Sequence, residues 1–297
     1  MSWSNWMGRQ SLRERGLAVV VAGVVVAVLG TAINWPASAQ STGLAARKGS
    51  GISTTKHNLG SSGTGNNTIA AGTGAAASPS TEICVFCHTP HAAEVARGPL
   101  WNRLAGTATI TPYTSATLTG GTVSGGMGTA LTPGSVSLAC LSCHDGTQAM
   151  NTLINAPGSN GYNAGGAAFG TLVSGAGLIT GVAKIGGDLT NDHPIGMKYA
   201  GGRADTVQEV GGYVQFTKGT INATDAWWVD TDTIGRTGAP AADSSRQKTD
   251  MWLYARTGTT DTAYVECASC HDPHTDNALF LRIPNTYSSV CLSCHIK

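Results

Sequence analysis

Charge is scarce in this chain of 297 residues: Asp, Glu, Lys and Arg make up 12% of it and leave a formal net charge of +1. Typical globular domains carry about 25% charged residues. A near-neutral balance gives no basis for nucleic-acid binding, which draws on clustered basic side chains. Low surface charge is compatible with self-association. Phenylalanine is nearly missing, with 4 copies against 40 glycines. A chain rich in Gly, Ser, Thr and Ala builds few long helices, because glycine is a poor helix former. Long apolar runs are also missing, apart from Leu17 to Ile33, which sits at the short edge of what a membrane span needs.

That one run reads as part of a secretory signal. Arg9, Arg13 and Arg15 precede it, and Ala37-Ser38-Ala39 follows as a small-residue cleavage site before Gln40. Residues 1–39 are therefore expected to be a signal peptide; the competing reading is an uncleaved anchor. Near the end of the run there is no cysteine to carry a lipid. The expectation is a secreted chain, extracellular or at the cell surface, without a stable membrane anchor, and periplasmic in the alternative.

No cysteine stands alone. All 8 fall in four C-x-x-C-H motifs, at Cys84–Cys87–His88, Cys140–Cys143–His144, Cys267–Cys270–His271 and Cys291–Cys294–His295. Within one helical turn, residues three and four apart share a face. Two thiols can then bond the two vinyl groups of a haem while the following histidine ligates iron, which is the reading of C-x-x-C-H. Paired C-x-x-C motifs also build zinc sites, and exported cysteines also form disulfides. Neither accounts for a histidine after every second cysteine. The expected cofactor is four covalently bound haem c groups, each with its iron.

The other four histidines are His57, His91, His193 and His274. Four irons with one histidine each need four second ligands, and four histidines remain. The count predicts bis-histidine irons with no open position, and so an electron-transfer protein rather than an enzyme. Met150 and Met197 compete as softer ligands, but the histidine count makes them unnecessary. His91 cannot return to its own motif's iron, because the three residues from His88 span at most roughly 10–11 Å. Pro90 also biases Thr89 toward an extended backbone. The same holds for His274 after Pro273. If the adjacent haem is the next in sequence, His91 serves the Cys140/Cys143 haem and His274 the Cys291/Cys294 haem. His57 and His193 then serve the first and third. Trp101, Trp227, Trp228 and Trp252 are expected to pack without a redox role.

The motifs form two copies of one pattern: a lone histidine, a CxxCHxPH and a CLSCH. The first copy runs from His57 through His91 to His144, the second from His193 through His274 to His295. Their spacings differ, which points to related haem pairs with unequal loops. The expected divisions are 40–190 for the first pair and 191–297 for the second, with a small β insertion at about 200–265. Within it, 207–217 alternates as a strand would, and Trp252–Tyr254 and Tyr264–Val265 are shorter candidates. Residues 59–81 and 105–137 read as surface loops. Asp145-Gly146 supplies a stop for the turn at the second motif. The fold class is mostly irregular coil with short helices at the motifs and a few short strands, wrapped around four stacked haems.

The series KHNLG, EICVFCHTPH, CLSCHDG, NDHPIGM, ECASCHDPH and CLSCH resembles the doubled-CxxCH multihaem c-type cytochromes. It is most similar to the extracellular tetrahaem cytochrome nanowires of the OmcE-like kind. The resemblance covers the motifs from His57 to His295 and not the loops. It implies bis-histidine haems in a continuous stack, a head-to-tail polymer of the chain with itself, and a distal histidine handed over from the next subunit. His57, near the mature N-terminus on a glycine-rich tether, is the expected donor. Other redox cytochromes or extracellular electron acceptors would be its partners. A soluble periplasmic carrier shares these motifs, and a multihaem reductase would need a labile iron.

Overall fold

The computed structural model describes residues 51–65, 68–69, 82–114, 133–159, 161–173, 177–202, 213–221, 223–231, 246–256 and 259–296. The expected signal segment lies outside the described residues, as do 70–81, 115–132 and the 207–212 part of the strand candidate. Residues Gly49–Lys297 form one compact unit, so both copies of the sequence pattern share one body. No helix among the described residues is long and apolar enough to cross a membrane.

Among the described residues α-helix occurs only at the motifs, and short 3-10 turns are scattered elsewhere. Helix α1 spans Ser135–His144, α2 Cys267–Cys270 and α3 Ser289–Leu292, while the first motif makes one tight turn at Cys84–Phe86. At the end of α1 the N–H groups of Asp145 and Gly146 bond the carbonyls of Leu141 and Cys143. Gly146 takes φ +72°, which stops the helix at no steric cost.

Strand β1 (Thr152–Asn155) pairs antiparallel with β2 (Tyr162–Ala168). A second sheet holds β3 (Met197–Lys198), β4 (Thr217–Ile221), β5 (Thr224–Val229), β6 (Met251–Arg256) and β7 (Thr259–Val265), in the order β3-β7-β6-β5-β4, with every pairing antiparallel. Alternation along the strands puts Trp227, Val229, Met251, Leu253, Ala263 and Val265 into one core with Tyr199 and Phe216. Cys270, Ile283, Val290 and Cys294 pack against it, so this sheet backs the last two motifs. Trp228 stands in register with Trp252, whose ring lies between the guanidinium groups of Arg246 and Arg282 at 3.9 and 4.1 Å. Trp252 thus carries charge on its aromatic face, while Trp228 is buried.

The strand sought at 207–217 begins at its last residue. Just before it, Val214 N–H donates to the Cys294 carbonyl at 2.9 Å and Tyr213 bridges to His295. Those backbone groups hold the fourth motif and are not free for a sheet. In the β4–β5 turn Ile221 pairs with Thr224, and Ala223 takes φ +60°. Hairpin turns of this length favour glycine or asparagine at such a position. Ala223→Gly is expected to stabilise the protein by about 0.5–1 kcal/mol, read as a rise in thermal midpoint; an unchanged or lower midpoint would show that the turn carries no strain.

A second core gathers Leu59, Ile69, Phe86, Met150, Leu153, Leu172 and Ile179, with Val85 and Cys143 against it. Leu59 and Ile69 come from a segment expected to lie on the surface. They are its two buried aliphatic side chains among the described residues, and Ile69 bridges to Leu172. Residues 135–137, at the end of the other expected loop, open α1.

Candidate haem attachment site

All eight thiols are free. They also neighbour one another in chain order. Burial, and next the nearby Cys143, push the Cys87 thiol up to about 12, with Arg103 opposing. Cys140 is raised by a hydrogen bond with Cys267 and by burial; that bond lowers Cys267, the acceptor of the pair. Burial and then Cys270 push Cys294 up to about 12. The contacts run from the first motif to the second, the second to the third and the third to the fourth. Among the described residues no three His, Cys, Asp or Glu side chains are gathered as a group that could hold a metal ion.

Glu266 joins the second and third motifs. It precedes α2, where Ser269 Oγ accepts its N–H at 3.0 Å. Its buried carboxylate accepts the Gly134 N–H at 3.1 and 3.0 Å and the Ser137 hydroxyl at 2.5 Å. Ser137 in turn accepts the Cys267 N–H at 3.0 Å. One carboxylate thus ties the starts of α1 and α2 and brings Cys140 to Cys267. Glu266→Ala strands several buried donors and is expected to cost about 3 kcal/mol of stability, read from a denaturant midpoint. A loss within about 0.5 kcal/mol would mean that the junction does not depend on it.

The histidines are held by one nitrogen. The Nδ1 atoms of His88, His144 and His271 face the carbonyls of Pro99, Ala183 and Leu279 at 2.8, 2.7 and 2.8 Å. A carbonyl only accepts, so each Nδ1 is the donor and each Nε2 is the nitrogen left to bind a metal. His193 Nδ1 faces the Pro194 carbonyl at 3.0 Å and His57 Nδ1 the Pro273 carbonyl at 3.4 Å. His274 Nδ1 donates to Asp272 Oδ1 at 3.1 Å. Burial alone would raise the Asp272 carboxyl, but bonds from the His274 ring and N–H hold it at about 2. Burial, then His144, lowers His57 to about 4, so its ring is neutral and ready to ligate.

The first and third motifs use the same scaffold. Thr89 N–H bonds Leu100 O and Asn102 N–H bonds Cys87 O; Asp272 N–H bonds Phe280 O and Arg282 N–H bonds Cys270 O. The duplication read in the sequence is therefore also a duplication of backbone hydrogen bonds. Asn102 locks the first motif further, since its side chain donates to Val85 O and Asn155 O at 2.7 and 2.8 Å.

Ring geometry then pairs the histidines. The His57 and His144 centroids are 6.2 Å apart, those of His88 and His274 6.2 Å, and those of His193 and His295 6.5 Å. Two imidazoles bound through Nε2 to one metal, at bonds of about 2.0–2.1 Å, have centroids about 6–6.5 Å apart. Each pair joins a motif histidine to a lone one at that spacing. The described ring contacts provide no facing imidazole for His271 or for the exposed His91.

This pairing differs from the sequence expectation. His91 was assigned to the second motif and His274 to the fourth, but His274 faces His88 of the first. His57 faces His144, in its own chain. His193 faces His295 rather than His271. Motifs next in sequence do lie beside one another, but the facing rings do not follow that order: His57 and His193 each face the CLSCH histidine of their own copy, and His274 crosses to the other. His57 is seated by stacking on Phe280, 4.1 Å between centroids. Met150 is buried in the second core and Met197 lies in β3. The Nδ1 acceptors Pro99, Ala183 and Leu279 were not anticipated, because backbone carbonyls leave no sequence signal. Glu266 had one: an acidic residue just before a turn with Ser269 three positions on.

The residues present fit haem c on three counts: free thiols in pairs, imidazoles anchored through Nδ1 with Nε2 left to ligate, and ring pairs spaced for one metal. A family described as the doubled CXXCH motif matches residues 262–297, which hold the third and fourth motifs. No curated protein matches the chain. The doubled motif is the mark of multihaem c-type cytochromes, proteins that attach haem covalently and transfer electrons. Bound haem c supplies one-electron exchange at its iron. The cysteines of each motif would hold it by thioether bonds and the motif histidine would ligate its iron, with a facing histidine available as a second ligand at the first, second and fourth motifs. The carbonyls on Nδ1 orient the rings and make them better donors.

Proposed function

We propose that this chain is a secreted tetrahaem electron conduit whose copies join head to tail into an extracellular filament. Electrons pass along haems at the first, second, third and fourth motifs in that order, and the series continues into the next subunit. His91 of one copy completes the site at His271 of the next. The observation that carries this reading is the unequal pairing: among the described residues three motif histidines face an imidazole in their own chain, while His271 and the exposed His91 face none. The order of neighbouring thiols supports a continuous series. A non-closing contact of this head-to-tail kind generates a filament.

The test is the spin state before and after dissociation. Assembled protein is expected to be wholly low-spin by electron paramagnetic resonance, with one iron of four turning high-spin in the monomer. A monomer with four low-spin irons would support a soluble periplasmic carrier instead. The facing side of His271 also favours a second reading, a reductase with a labile iron. A high-spin iron that persists in assembled protein and binds carbon monoxide would support it.

A further inference from the structure

A positive charge is buried beside the first motif without a countercharge. Arg103 is 0% exposed. Its Nη1 donates to the Met150 carbonyl at 2.6 Å and its Nη2 to the Ala149 carbonyl at 2.8 Å. Its Nε is buried and has no hydrogen-bond partner. Among the described residues no carboxylate forms an ion pair with it. Arginine does not shed its proton, and a buried charge without an anion is costly. The site therefore calls for an anion. The Cys87 thiol already feels Arg103, which opposes the rise that burial causes.

The second copy supplies a comparison. Arg282 is also buried, and it lowers the Cys270 thiol as Arg103 lowers Cys87. Its Nε is satisfied by the Ala268 carbonyl at 3.0 Å and its Nη1 by the Lys248 carbonyl at 2.7 Å. It also acts on the largely buried carboxylate of Asp272. Arg282 is compensated by the protein; Arg103 is not.

We propose that Arg103 is a propionate anchor: its free Nε takes a propionate carboxylate of the haem attached at Cys84 and Cys87, and its charge makes that haem the easiest of the set to reduce. A guanidinium is suited to a carboxylate by shape and charge, and a nearby positive charge favours the reduced iron. The inference rests on the haem reading of the first motif.

The test is a redox titration of full-length, haem-loaded protein carrying Arg103→Gln, with haem content measured on the same sample. One of the reduction steps is expected to fall by at least tenfold in electron affinity, which is 59 mV for one electron. Arg103→Lys, which keeps the charge, is expected to restore most of it, and Arg282→Gln to move its step less. Unchanged steps at full haem content overturn the proposal, as does a lysine variant that falls as far as the glutamine variant. A wild-type protein without haem at the first motif defeats the haem reading itself. If Arg103→Gln loses haem, the structure of the loaded wild type decides. Nε within about 3 Å of a propionate oxygen is the expected result, and a propionate directed elsewhere overturns it.

Discussion

His91→Ala is expected to abolish the filament and to leave one iron high-spin, while the secreted chain keeps all four haems. The haems stay because each is held by two cysteines, none of which His91 touches. Folding is little affected, since the exposed imidazole packs into neither core. On the proposed reading, what is lost is a metal–ligand bond between subunits. Losing a central anchor of an interface costs about 2–4 kcal/mol or more, at least a 30-fold weaker association at each contact. A filament multiplies that loss at every junction. Electron microscopy and electron paramagnetic resonance read the two effects together. Intact filaments with four low-spin irons would show that His91 ligates nothing.

His57→Ala is expected to divide the same two readouts the other way. The iron at His144 loses its facing imidazole and becomes high-spin, while filaments persist. His57 is fixed inside its own chain: its ring stacks on Phe280 and lies 6.2 Å from that of His144. Loss of the stacking adds a stability cost of about 0.5–1.5 kcal/mol. Failure of assembly with the iron at His144 still low-spin would make His57 the residue that crosses between subunits. The two variants thus assign the two roles.

The attachment chemistry was legible in the sequence because it is local. A CxxCH places three functional atoms within one turn, and no tertiary structure is needed to read it. The stop at Asp145-Gly146 is local in the same way. The strands at Trp252–Tyr254 and Tyr264–Val265 could be read because bulky and β-branched residues cluster there. The histidine pairing was not legible, because it depends on which lone histidine the fold turns toward each motif. His274 and His88 are far apart in sequence, and only the fold brings them together. The second core was hidden for a different reason: Leu59 and Ile69 are isolated in a Gly, Ser and Thr background that has no periodicity. Arg103 resembled any surface arginine, since burial and an unpaired Nε are properties of the packed chain.

The central claim is that four haems form one series that runs through successive copies, with His91 of one copy on the iron at His271 of the next. Electron cryomicroscopy of the native extracellular material tests it most directly. The predicted result is a filament with four haems per subunit, three of them ligated by the pairs His88–His274, His144–His57 and His295–His193, and the fourth shared between copies. Discrete particles, with the iron at His271 ligated inside its own chain or left open, would contradict it.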